Sequence, residues 1–115
     1  MRILIVDDEP DSLFLLRTIL EHAGYQVEEA SHGAQALDKV QIHPPDLVVT
    51  DLMMPVMNGR ELILHLREDP RTAGIPILLV STLPNRDEGA DEVLEKPFRP
   101  NEILGVLSRM TEADG

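Results

Sequence analysis

The chain contains no cysteine, which excludes disulfides, thiolate metal sites and a cysteine nucleophile. It is also poor in positive charge: ten Lys and Arg stand against twenty-one Asp and Glu, a formal net charge of −11. Lys and Arg supply the affinity for a phosphate backbone, so a direct nucleic-acid partner is not expected. No apolar run approaches the roughly eighteen residues of a membrane-spanning helix. The first run, Ile3 to Val6, stops at Asp7-Asp8-Glu9, too soon for the core of a signal peptide. At 115 residues there is room for one domain, 1–115, and none for a second catalytic or DNA-binding module. With 43% hydrophobic and 27% charged residues the composition is that of a globular rather than a disordered chain. The expectation is a soluble, cytoplasmic protein without membrane contact.

What is present is an alternation of two periodicities. Ile3 to Val6, Leu47 to Thr50 and Ile77 to Val80 are short, unbroken apolar runs, the pattern of strands buried on both faces. Gln26 to Ala30 and Val93-Leu94 read as weaker strands. Between them, Leu13, Leu16 and Leu20, then Ala36, Leu37 and Val40, then Leu62, Ile63 and Leu66, and finally Ile103, Val106, Leu107 and Met110 recur at helical spacing. Pro10 and Asp11 suit a first helical turn, Gly24 a helix end, and Asn58-Gly59 a turn. Strands alternating with helices predict βαβ units and a parallel sheet covered on both faces. The rhythm breaks once. Thr82 to Asp91 gives ten residues with no apolar periodicity, short for a parallel crossover, so the helix expected there should be shortened or absent.

In open α/β sheets ligands bind beyond the carboxyl ends of the strands. Four such ends carry polar groups: Asp7 and Asp8, Asp51, Ser81, and Lys96. Under the strand order 2-1-3-4-5 they converge on one rim. Clustered carboxylates repel one another unless a cation intervenes, and a hard divalent ion with oxygen ligands, Mg²⁺ above all, answers that conflict. Asp51 then suits a carboxylate nucleophile that takes up a phosphoryl group. Mg²⁺, the Lys96 ammonium and the Ser81 hydroxyl would neutralise and align its oxygens. Taken singly, each residue has an ordinary reading: Asp7 and Asp8 as helix caps, Asp51 and Ser81 as turn residues, Lys96 as a solvated charge. Their shared position at strand ends favours the joint reading. Met53, Met54 and Met57 suit loop packing, and His22, His32, His43 and His65 share no ligand spacing.

At this point the chain resembles the receiver domain of two-component response regulators, over nearly its whole length. The matching pieces are Ile3-Leu4-Ile5-Val6-Asp7-Asp8-Glu9, Asp46 to Pro55, Met57-Asn58-Gly59, Ser81, Gly89-Ala90-Asp91 and Lys96-Pro97-Phe98. The resemblance implies a flavodoxin-like three-layer α/β fold with a five-stranded parallel sheet in the order 2-1-3-4-5. It implies Asp51 as phosphoacceptor, and Asp7, Asp8, Asp51 and the Met53 backbone carbonyl as Mg²⁺ ligands. Ser81 takes the family's hydroxyl position, Lys96 its lysine position, and the Lys96-Pro97 bond is expected to be cis. The implied phosphoryl donor is a histidine kinase or histidine phosphotransfer protein, and the implied recipient of the signal a downstream output domain or protein. Three departures stand out. The stretch from Ser81 to Lys96 is shorter than the family pattern by about two helical turns, Val93 stands where the family has its switch aromatic, and Thr82 follows the hydroxyl residue.

The leading expectation is therefore a signalling phosphoacceptor, not an enzyme acting on other substrates. A receiver-like adaptor that binds without phosphorylation is a second class, favoured by the missing helix and Val93. An aspartate-nucleophile phosphohydrolase is a third. It is disfavoured because Met53 stands where such enzymes carry a second Asp, and because there is no cap domain. The sequence is compatible with a stand-alone receiver and with a domain of a longer kinase or regulator.

Overall fold

The structure, a computed structural model, describes residues 1–82 and 89–112. Five strands, β1 (Arg2–Val6), β2 (Gln26–Ala30), β3 (Leu47–Asp51), β4 (Ile77–Ser81) and β5 (Glu92–Glu95), form one sheet in the order β2-β1-β3-β4-β5. Every pairing is parallel. Four helices are described: α1 (Pro10–His22), α2 (Gly33–Ile42), α3 (Gly59–Glu68) and α4 (Pro100–Glu112).

The two-residue period of the strands splits the interior into two apolar layers. Ile3, Ile5, Leu47, Val49, Leu78 and Val80 face α1 and α4, where Leu13, Leu16, Leu20, Ile103 and Leu107 meet them. Leu4, Val6, Val48, Ile77 and Leu79 face α2 and α3, against Ala36, Val40, Leu62, Ile63 and Leu66. The unbroken apolar runs of β1, β3 and β4 are thus explained, since both faces of those strands lie under helices.

Local sequence sets the helix ends. Pro10 opens α1, where its missing N–H costs nothing. Gly24, just past the helix, takes φ +99°, a conformation glycine adopts without steric cost. Asn58 caps α3, accepting from the Glu61 N–H at 2.9 Å while Glu61 Oε1 accepts from the Asn58 N–H at 3.1 Å. This reciprocal cap satisfies two otherwise orphaned donors. His32, to which sequence spacing assigns no role, caps α2 by accepting from the Gln35 N–H at 3.1 Å.

Ten residues, Thr82 to Asp91, connect β4 to β5. Residues 83–88, on which the expected loss of a helix largely falls, lie outside the described residues; Thr82 and Gly89 to Asp91 are not helical. The far end of this connection is clasped by Arg67 of α3. Its guanidinium donates to the carbonyls of Ala73 at 2.7 Å, Ile75 at 2.9 Å and Gly89 at 3.3 Å, and to Asp91 Oδ2 at 2.8 Å. Asp91 Oδ2 also accepts from the Ile77 N–H at 2.7 Å. One planar fork thereby ties α3, the lead into β4 and the lead into β5 together, a geometry an ammonium cannot copy. Replacing Arg67 by Met removes the donor to the part-buried Ala73 and Ile75 carbonyls and breaks the ion pair with Asp91. The expected loss is about 2–4 kcal/mol, read from the urea midpoint, with Arg67→Lys recovering only a minor part.

Candidate functional site

The parallel register brings the C-terminal ends of β1, β3, β4 and β5 to one rim. Val6 lies beside Thr50, Asp51 beside Val80, and Ser81 beside Glu95. Residues that follow these strands are therefore neighbours although far apart in sequence. Asp7, Asp8 and Asp51 each offer a carboxylate oxygen, and these oxygens lie within 4.8 Å of one another. Asp7 is buried, Asp51 half-buried and Asp8 exposed, so the cluster opens to solvent on one side. Lys96 Nζ lies 3.3 Å from both Asp7 Oδ2 and Asp51 Oδ2. Ser81 is buried at the end of β4, between the strands that carry Asp51 and Lys96.

Asp51 is also held through its own backbone neighbourhood. Its Oδ1 accepts from the Leu52 N–H at 2.8 Å, and the Leu52 carbonyl accepts from the Gly59 N–H at 2.8 Å. Gly59 was legible in sequence only as a turn residue, yet it is the first residue of α3. A Cβ there would sit 2.2 Å from the Asp51 carbonyl oxygen, so only glycine lets α3 start against the strand end. Within the intervening loop Val56 takes φ +68°, a left-handed conformation that costs a branched residue about 1–3 kcal/mol. Met54 and Met57 pack against the α2–α3 side of the core, in line with loop packing, whereas the Met53 side chain is exposed.

Helix capping is part of the account of Asp7. Its Oδ1 accepts from the Glu9 N–H at 3.0 Å, but Glu9 is the N-cap residue of α1 and makes no side-chain cap bond. Asp8 stays exposed beside the cluster.

The electrostatics follow from this crowding. Burial raises the Asp51 pKa above the ordinary carboxylate value; Lys96 draws it back, Asp7 pushes it further up, and the net shift is upward. Burial by itself would lower the Lys96 pKa, but attraction to Asp51 and Asp7 overcomes it and the ammonium titrates above its ordinary range. Three oxygen donors with an open side fit a small hard cation that keeps several waters, such as Mg²⁺.

The family model of the response regulator receiver domain matches residues 3–108. The chain belongs to the response regulator receiver domain family. Among relatives of this receiver domain, the DNA-binding dual master transcriptional regulator RpaA of Synechocystis is 44% identical over 96% of the chain and 50% of RpaA. The receiver domain spans about half or less of the length of the first curated relatives it matches. Among solved structures, the signal receiver domain of a histidine kinase from Syntrophus aciditrophicus superposes with a TM-score of 0.92 at 31% identity, covering 97% of this chain and 90% of that one. The response regulator TrrA of Thermotoga maritima, solved in complex with Mg²⁺-BeF, gives 0.86 at 31% identity, covering 94% and 96%. The flavodoxin-like fold and the strand order expected of a receiver domain are those observed. The Lys96-Pro97 peptide of the receiver domain is cis.

Two expectations follow. Because folding raises the Asp51 pKa, the folded domain binds a proton there more tightly than the unfolded chain does. This group's stabilising contribution is complete in acid below the ordinary carboxylate pKa and is lost as pH rises through the higher folded value. Without divalent metal, Asp51→Asn should therefore raise the melting temperature at pH 7 by a few degrees, roughly 2–5 °C, and the gain should shrink toward pH 4. Thermal melts across that range read it. Gly59→Ala should destabilise the domain by about 1–3 kcal/mol through overpacking, measured by urea unfolding.

Proposed function

We propose that residues 1–115 act as a signalling receiver in two-component phosphotransfer, accepting a phosphoryl group on Asp51 in a Mg²⁺-dependent reaction. The single observation that carries this reading is the joint placement of Asp51, Asp7, Asp8 and Lys96 at one sheet rim, with Lys96 Nζ 3.3 Å from two carboxylates. It is supported by family membership and by the similar TrrA, whose structure is of a Mg²⁺-BeF complex.

In this reading an Asp51 carboxylate oxygen attacks the phosphorus of a phosphohistidine; a P–O bond forms as the P–N bond breaks, and the imidazole leaves. Asp7, Asp8, Asp51 and the Met53 backbone carbonyl would hold Mg²⁺, which supplies charge neutralisation for phosphoryl oxygens. Lys96 exchanges part of its pairing with Asp51 for the incoming phosphoryl group, and the Ser81 hydroxyl donates to another of its oxygens. Positioning and charge compensation are most of what phosphoryl transfer needs. The chemistry stays on the domain's own aspartate, so the role is signalling rather than turnover of a separate substrate. The donor is a histidine kinase or histidine phosphotransfer protein, and the recipient an output domain or protein. No described helix is long and apolar enough to cross a membrane, and the reading places the domain in the cytoplasm.

Intact mass after incubation with acetyl phosphate, with and without Mg²⁺, tests this. One phosphoryl group should be gained only with Mg²⁺, and Asp51→Asn should abolish the gain. Asp7→Ala should weaken Mg²⁺ binding, read calorimetrically, by tenfold or more. Absence of phosphorylation from acetyl phosphate and from a cognate kinase, with Mg²⁺ bound, would return the adaptor reading.

A further inference from the structure

β2 is one outer strand of the sheet, and an outer strand offers unpaired backbone groups to any chain that can lie beside it. Gln26 donates its N–H to the Met1 carbonyl and Ala30 accepts from the Asp7 N–H, both toward β1. By strand alternation the backbone groups of Val27 and Glu29 point the other way, off the sheet. Both of those outward carbonyls are met by basic side chains. Lys39 Nζ of α2 donates to the Glu29 carbonyl. Arg17 of α1 brings Nη2 to 3.5 Å from the Val27 carbonyl and is anchored by Nε on Glu29 Oε2 at 2.7 Å. One cation comes from each face of the sheet, since α1 packs with one apolar layer and α2 with the other.

We propose that Arg17 and Lys39 guard the β2 edge, preventing a second copy of this chain from adding its own β2 to the sheet. As a stability device the Arg17–Glu29 pair is weak: exposed ion pairs contribute about 0–1 kcal/mol, and Arg17 and Glu29 are each more than a third exposed. The shared target of Arg17 and Lys39, the only two outward carbonyls within the five-residue strand, is what a stability role leaves unexplained. Pro and Lys are absent from this strand, whose own charges are those of Glu28 and Glu29; the cations that meet its outward carbonyls come from the flanking helices.

The test compares the wild-type chain with Arg17→Met/Lys39→Met by sedimentation velocity, from about 10 µM to about 1 mM. The double variant should stay folded, melting within a few degrees of wild type, and should self-associate at least roughly tenfold more tightly. It loses two positive charges from a chain already at −11, so association would run against the change in net charge. Adding Val27→Pro, which removes an outward N–H and leaves the β1 ladder intact, should abolish the gain. A folded double variant that associates no more than wild type overturns the proposal, as does association that survives Val27→Pro. Should the double variant fail to fold, Lys39→Met alone decides in the same assay.

Discussion

Asp51 is held where the neighbouring Asp7 disfavours its charge, and one ammonium, Lys96, lies 3.3 Å from both carboxylates. That frustrated cluster is the constraint on which the rest of the rim depends. A buried carboxylate beside a second one is costly without a cation, and Lys96 offsets only part of the cost, since the Asp51 pKa remains raised. The three carboxylates at this rim form a group whose chemistry suits a divalent cation.

Holding such a cluster together requires a rigid support, and the sheet supplies it. β1, β3 and β4 are covered on both faces by apolar layers, so their C-terminal ends have little freedom to separate. Gly59 sets α3 directly against the Asp51 backbone, and the strained Val56 lies in the loop this contact closes. On the β4–β5 side, where a ten-residue connection replaces a longer crossover, Arg67 makes from α3 the bonds that tie both strand leads down.

The basic residues are few and their placement is economical. Lys96 serves the rim, Arg67 the short connection, and Arg17 and Lys39 the outer strand. The surplus acidic charge remains largely on exposed positions such as Asp11, Glu21, Asp38 and Glu61.

The sequence by itself determined the elements and the identity of the rim. Strand and helix assignments depend on periods of two and 3.6 that local composition writes directly, and the apolar stripe of α1, Leu13, Leu16 and Leu20, is buried as spacing predicts. Asp7, Asp8, Asp51, Ser81 and Lys96 were legible because each falls at a strand end, and parallel strands bring their ends to one side. Only the tertiary structure decided the roles of Gly59, Arg67, Arg17 and Lys39. A glycine before a helix reads as a turn until the strand it presses against is in place, and a surface Arg or Lys carries no periodic signal. Most of their partners are backbone carbonyls, which every residue possesses, and the carboxylates that Arg67 and Arg17 also meet, Asp91 and Glu29, come near only once the chain has folded.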